Sequence, residues 1–172
     1  FGGRSLDGQE PKYLNSPESE IFEKGKMLFA FEKASSNIRK RDKAIIVEGY
    51  FDVIALHSKG IANSVASLGT ALNKYQISQL CRCTDNKNII LNFDSDNAGT
   101  LATKRVIKEV ESLSLHDQIN LKILQLSDFK DPDEFLNSNT REDYFNLIDN
   151  SSFWIDWEID QIFKDKDRSE EH

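Results

Sequence analysis

With 172 residues, 38% hydrophobic and 30% charged, the chain has the profile of one soluble globular domain with a real core. It contains no apolar run near the roughly 18 residues a membrane helix needs and no visible signal peptide, so no membrane partner and a cytoplasmic location are expected. A formal net charge of −7 argues, on its face, against a nucleic-acid protein.

Residues 1–20 read as irregular or extended, punctuated by Gly2, Gly3, Gly8, Pro11 and Pro17. The opening Phe1-Gly2-Gly3-Arg4 has no initiator Met, and the chain is expected to be a piece of a longer one. Ser19 is a candidate helix cap ahead of Phe22, Leu28, Phe29 and Phe31, with Gly25 interrupting, and 37–43 reads as a charged connector. From there the pattern turns regular. Ala44-Ile45-Ile46-Val47 suits a strand buried on both faces and ends at Glu48. Asp52 to His57 reads as a helix stopped by Gly60, 61–67 as a strand, and Asn73 to Cys83 as a helix with Ile77 and Leu80 inward. Residues 88–93 form a third strand ending at Asp94; 98–113 a helix; 119–126 a fourth strand. Asp131 then opens a short helix with Pro132 in its first turn.

This alternation predicts an α/β fold with a central, mostly parallel sheet flanked by helices, whose ligands bind beyond the carboxyl ends of the strands. From Asn139 onward only helices are expected, a C-terminal appendage with charged residues 164–172 frayed. The organisation expected is residues 1–43 as the remnant of a preceding subdomain plus linker, 44–138 as the main domain and 139–172 as the helical segment. The charge follows it: 1–43 carries nine Lys/Arg against seven Asp/Glu, while 44–172 carries thirteen against twenty-two.

Three acidic clusters fall at three predicted strand ends: Glu48 with Asp52, Asp94 with Asp96, and Asp131 with Asp133. Alone, each is a common turn or cap pattern. Together, at one edge of a parallel sheet, they would repel one another unless something positive offsets them. Hard oxygen ligands select Mg²⁺ or Mn²⁺, and two such ions suit in-line nucleotidyl transfer. The charge is therefore a statement about metal before it is one about partners. Other chemistries fit less well. Asp94-Ser95-Asp96-Asn97-Ala98-Gly99 opens like an EF-hand loop, but Ala98 is its fifth position and Arg105 its twelfth, where a bidentate Glu belongs. A haloacid-dehalogenase nucleophile also uses Asp-x-Asp after a strand, yet it leaves Glu48 unexplained. No nucleotide-binding glycine fingerprint occurs. Cys81 and Cys83 are spaced for neither zinc nor a redox pair and are expected as free thiols. His57, His116 and His172 show no ligand spacing.

Val47-Glu48-Gly49-Tyr50-Phe51-Asp52-Val53 resembles the glutamate motif of Toprim domains, and Phe93-Asp94-Ser95-Asp96-Asn97-Ala98-Gly99 resembles their Asp-x-Asp motif. The flanks, Phe1-Gly2-Gly3-Arg4, Pro11 to Glu18, Phe22 to Gly25, Ala66 to Leu72 and Lys130 to Glu134, are similar to those of bacterial DnaG-type DNA primases, in the family's order. The chain departs from the pattern at Ser95, usually Gly, and at Phe51, usually Met.

The resemblance implies a Toprim-like fold and a primase that makes short RNA primers on single-stranded DNA. It assigns Glu48, Asp94 and Asp96 as catalytic residues. Metal binding would fall to these three with Asp131 and Asp133, and Asp52 would support Glu48 or reach an ion through water. Arg4, Lys12, Asn15 and Lys24 would meet nucleotide or nucleic-acid phosphates, with Tyr50 beside the nucleotide. It implies two or more Mg²⁺ or Mn²⁺ ions, with zinc confined to a separate N-terminal domain. The implied partners are ribonucleoside triphosphates, template and primer, with a replicative helicase reached through a domain absent here. Left open are a different Toprim enzyme, nuclease or topoisomerase, and a non-catalytic module that binds metal or nucleotide.

Overall fold

Side chains along the buried strands alternate between two apolar layers, and this alternation organises the molecule. In the computed structural model, which describes residues 2–5, 13–113, 118–126 and 128–170, the strand β3 (Ala44–Val47) sends Ala44 and Ile46 to one core and Ile45 and Val47 to the other. The strand β5 (Asn88–Asn92) does the same, with Ile89 and Leu91 opposite Ile90.

Before them come a short antiparallel pair, β1 (Gly2–Arg4) and β2 (Tyr13–Asn15), a 3₁₀ turn at Lys24–Lys26, and helix α1 (Phe31–Arg41). After β3 the chain runs through α2 (Tyr50–Ser58), β4 (Ser64–Ala66) and α3 (Lys74–Cys81) to β5. It continues through α4 (Asn97–Glu111), β6 (Asn120–Ile123), α5 (Pro132–Ser138), α6 (Arg141–Asp149), β7 (Ser152–Phe153) and α7 (Trp154–Glu170). The sheet order is β4-β3-β5-β6-β7, parallel except for β7. Residues of α1, α3, α4 and α7 join one apolar layer, and residues of α2, α5 and α6 join the other.

The α/β reading holds, and four local expectations change. Residues 19–22 form a tight β-bridged turn, and the helix starts at Phe31. The run 37–43 is the second half of that helix and its exit turn, with Ile38 fully buried. Its charges hid the helix, although Arg39, Lys40 and Arg41 suit a helix C-terminus, where the backbone dipole favours cations. In the tail, β7 pairs antiparallel with β6 through Lys122↔Phe153 and Ile123↔Ser152. Two residues carry no periodicity, so only tertiary pairing creates that strand. The final helix extends through Glu170, with Trp157 in the core.

Candidate metal and nucleotide site

The parallel register places the exits of β3, β5 and β6 at one edge of the sheet. Glu48 leaves β3, and Asp52 sits in the first turn of α2, where its Oδ2 accepts the Gly49 N–H at 3.0 Å. Asp94 follows β5, and its N–H donates to Glu48 Oε1 at 3.1 Å, joining the first two clusters. Asp131 caps α5 by accepting the Glu134 N–H at 2.9 Å. Glu48, Asp52, Asp94, Asp131 and Asp133 all line one open cavity of ≈ 370 Å³.

Asp96 is placed differently. Its Oδ1 accepts the Gly99 N–H at 2.8 Å as the cap of α4, and it does not line the cavity. Its charge still acts on Glu48. Among the described residues no three such side chains already converge tightly enough to cage an ion.

The electrostatics point to a cation. Burial first, then the charge of Asp94, pushes the Glu48 carboxyl above the usual carboxylate range, against the Asp94 N–H and the Lys130 ammonium. Burial first, then Asp131, pushes Asp52 up to about 7. The donor set is all oxygen, which fits a hard divalent ion that keeps part of its water shell.

Gly99 sets the tightness of the Asp94–Asp96 turn. A Cβ there would collide with the Asp94 carbonyl and lie 2.9 Å from Glu48 Oε1. Ser95, in the position where glycine was expected, is not among the positive-φ residues. Its hydroxyl lies 3.1 Å from the Leu126 carbonyl and 3.2 Å from that of Phe129, so Ser stitches the turn to the next loop rather than straining it.

Among the described residues, the N-terminal segment reaches the rim at Asn15. The Tyr50 hydroxyl donates to Asn15 Oδ1 at 2.7 Å, and Asn15 Nδ2 donates to the Leu68 carbonyl at 3.0 Å. Phe29 stacks on Tyr50 with ring centroids 4.7 Å apart. Asn15 and Tyr50 both line the acidic cavity, whereas Lys24, half-buried in the 3₁₀ turn, does not. Arg4 is described only as part of β1, and Lys12 lies outside the described residues. Lys130 is the remaining charged side chain on the cavity wall, and nothing in its sequence motif marks it as a site residue.

Residues 45–136 match the family model described as Toprim-like. The chain belongs to the Toprim-like family. Membership implies use of divalent metal in general. The remaining matches place this Toprim-like chain next to DNA primases. Residues 1–35 match the model described as DNA primase catalytic core, N-terminal domain. DNA primase of Synechococcus elongatus is 52% identical over 166 residues, covering 96% of this chain and 24% of that protein. That of Clostridium acetobutylicum is 43% identical over 164 residues, covering 95% of this chain and 26% of that protein. A DNA primase domain from Pseudomonas aeruginosa superposes with a TM-score of 0.87 at 36% identity, over 96% of this chain and 51% of that one. The Escherichia coli primase catalytic core gives 0.82 at 33%, over 96% and 52%. The chain thus spans about a quarter of these curated relatives and about half of these solved structures.

Proposed function

We propose that this chain is the metal- and nucleotide-binding part of a DNA primase, acting in the cytoplasm in the synthesis of short RNA primers on single-stranded DNA. The observation that carries it is the convergence of five carboxylates, from the exits of three parallel strands, on one cavity that also presents Asn15 and Tyr50. A solved relative with 35% identity is a primase catalytic domain bound to single-stranded DNA, which supports the template as partner.

In this reading Glu48, Asp94, Asp131 and Asp133 hold Mg²⁺ or Mn²⁺, two or more ions, with Asp52 in support. Asp96 reaches an ion through water or by giving up its cap. Bound divalent ions would acidify the primer's 3′-hydroxyl and offset charge on the departing pyrophosphate. The chain's own part is to hold ligands in fixed positions and to orient the triphosphate, which supplies most of the catalytic effect in phosphoryl-type transfers. Arg4, Lys12 and Lys24 serve phosphates along the approach, contributing salt-dependent affinity. Tyr50, held by Asn15, borders the nucleotide. Zinc and the replicative helicase belong to other domains of the full enzyme.

The test is primer synthesis and Mn²⁺ binding by the full-length primase bearing this sequence, with Glu48→Gln and Asp94→Asn. Both should abolish synthesis and weaken Mn²⁺ binding. Unchanged activity in either would sink the assignment, and relaxation of supercoiled DNA or cutting of single strands would redirect it to another Toprim activity. The 172-residue chain alone is expected to bind metal without polymerising.

A further inference from the structure

Lys130 is the one cationic side chain among the described residues that line the acidic cavity. It stands on the loop between β6 and α5, and that loop is fixed by backbone and hydroxyl contacts. The Lys130 N–H donates to Glu134 Oε2 at 2.6 Å, and its carbonyl accepts the Ser95 N–H at 3.3 Å. The Ser95 hydroxyl sits between the carbonyls of Leu126 and Phe129 on the same loop. These bonds staple the loop to the Asp94–Asp96 turn and leave the Lys130 ammonium out of the staple. No salt bridge among the described residues engages it.

A lysine beside five carboxylates has two possible duties. It can offset their repulsion, and its pull on Glu48 shows that the charge is felt there. Once divalent ions occupy the site, that offset is redundant and the ammonium repels the ions. The arrangement becomes favourable again when an anion lies between them, and a triphosphate, with several negative oxygens, is the anion that nucleotidyl transfer brings. Lysine suits this duty as a compact, mobile point charge with three donors.

Resting on the nucleotidyl-transfer reading above, we propose that Lys130 is the cavity's phosphate-binding cation, meeting non-bridging oxygens of the incoming nucleotide's triphosphate, and that Ser95 is the positioning residue that holds its loop in place. Ser95 touches no substrate; it acts through the loop.

The experiment uses the full-length enzyme bearing this sequence and titrates Mn²⁺ alone, then pyrophosphate in saturating Mn²⁺, by calorimetry. The nucleotide KM and kcat in primer synthesis are measured alongside. Lys130→Ala is expected to weaken pyrophosphate binding and raise KM by about tenfold, the size of one lost charged hydrogen bond. It should leave Mn²⁺ affinity unchanged or tighter, since a repelling charge has gone. Ser95→Ala should move pyrophosphate affinity the same way by less, and the double variant should be no worse than Lys130→Ala alone, because both act on one contact. Unchanged pyrophosphate affinity and KM in Lys130→Ala would overturn the proposal and leave the lysine as a charge offset. Equal losses for Mn²⁺ and pyrophosphate would also overturn it, by showing damage to the whole site. If the wild type binds Mn²⁺ no better than Glu48→Gln, the metal reading itself fails, and this proposal with it.

Discussion

The Tyr144 hydroxyl donates to Asn92 Oδ1 at 2.7 Å in the buried interior. Asn92 ends β5 two residues before Asp94, and its Nδ2 reaches the Leu124 carbonyl at 3.3 Å. The phenol from α6 thus anchors the end of β5, and Asn92 in turn ties that end to the exit of β6. Burial holds the Tyr144 phenol above the ordinary tyrosine range, so it is a donor at neutral pH.

Tyr144→Phe keeps the packing and removes the donor, leaving Asn92 Oδ1 buried without that partner. The expected cost is about 1–3 kcal/mol of stability, read from urea denaturation of the chain. A change below about 0.5 kcal/mol would mean the oxygen finds another partner, and the end of β5 is not held by this bond.

Gly99→Ala tests the turn that carries Asp94. The added methyl meets the Asp94 carbonyl, backbone that cannot swing aside, and crowds the Glu48 carboxylate. Overpacking of this kind costs typically about 1–3 kcal/mol, and here the displaced groups are candidate ligands. Melting temperature and Mn²⁺ affinity should fall together. Wild-type Mn²⁺ binding in a destabilised variant would show that the turn and the ion are independent.

The sequence made some of this legible and hid the rest for physical reasons. The β3 and β5 runs announce strands buried on both faces, and Glu48 and Asp94 at their ends name the site, because a parallel sheet puts all exits on one edge. Helix α1 stayed hidden because only Ala34 and Ile38 of its length are buried while its last turn is cationic. Asp96 looks like an equal partner of Asp94 in the string, yet it is turned away to cap α4. Lys130 and Ser95 acquire roles only because two loops 31–34 positions apart in sequence meet, which no local pattern encodes.

Buried thiols give a separate check on the core. Cys81 and Cys83 are each 6% exposed, and burial pushes the Cys81 thiol up to about 11. Since alkylation needs the reagent to reach the sulfur, and both side chains are buried, neither cysteine should be alkylated by iodoacetamide at pH 7.5 in the folded chain. Both should react at once in 6 M guanidinium. Rapid native labelling, followed by mass spectrometry, would contradict the packing of α3.

The pH dependence of the metal-free chain follows from Asp52. Its ordinary value of 3.8 is raised to about 7 in the fold, chiefly by burial. Between those values the folded chain holds a proton that the unfolded chain releases, so stability must fall as pH rises through that window. The contribution is complete below about pH 4 and gone above about pH 7, worth up to about 4 kcal/mol. Glu48, shifted the same way, adds to the slope. In EDTA the melting temperature should therefore drop from pH 5 to pH 7.5. Mn²⁺ competes with the proton, so its affinity should rise over the same range and its addition should reverse the drop. Asp52→Asn keeps an oxygen to accept the Gly49 N–H but cannot titrate, so its melting curve should be flatter without metal. A melting temperature that climbs with pH in EDTA for the wild type would mean these carboxyls are charged in the folded chain, and that the cavity is wetter and less crowded than its geometry indicates.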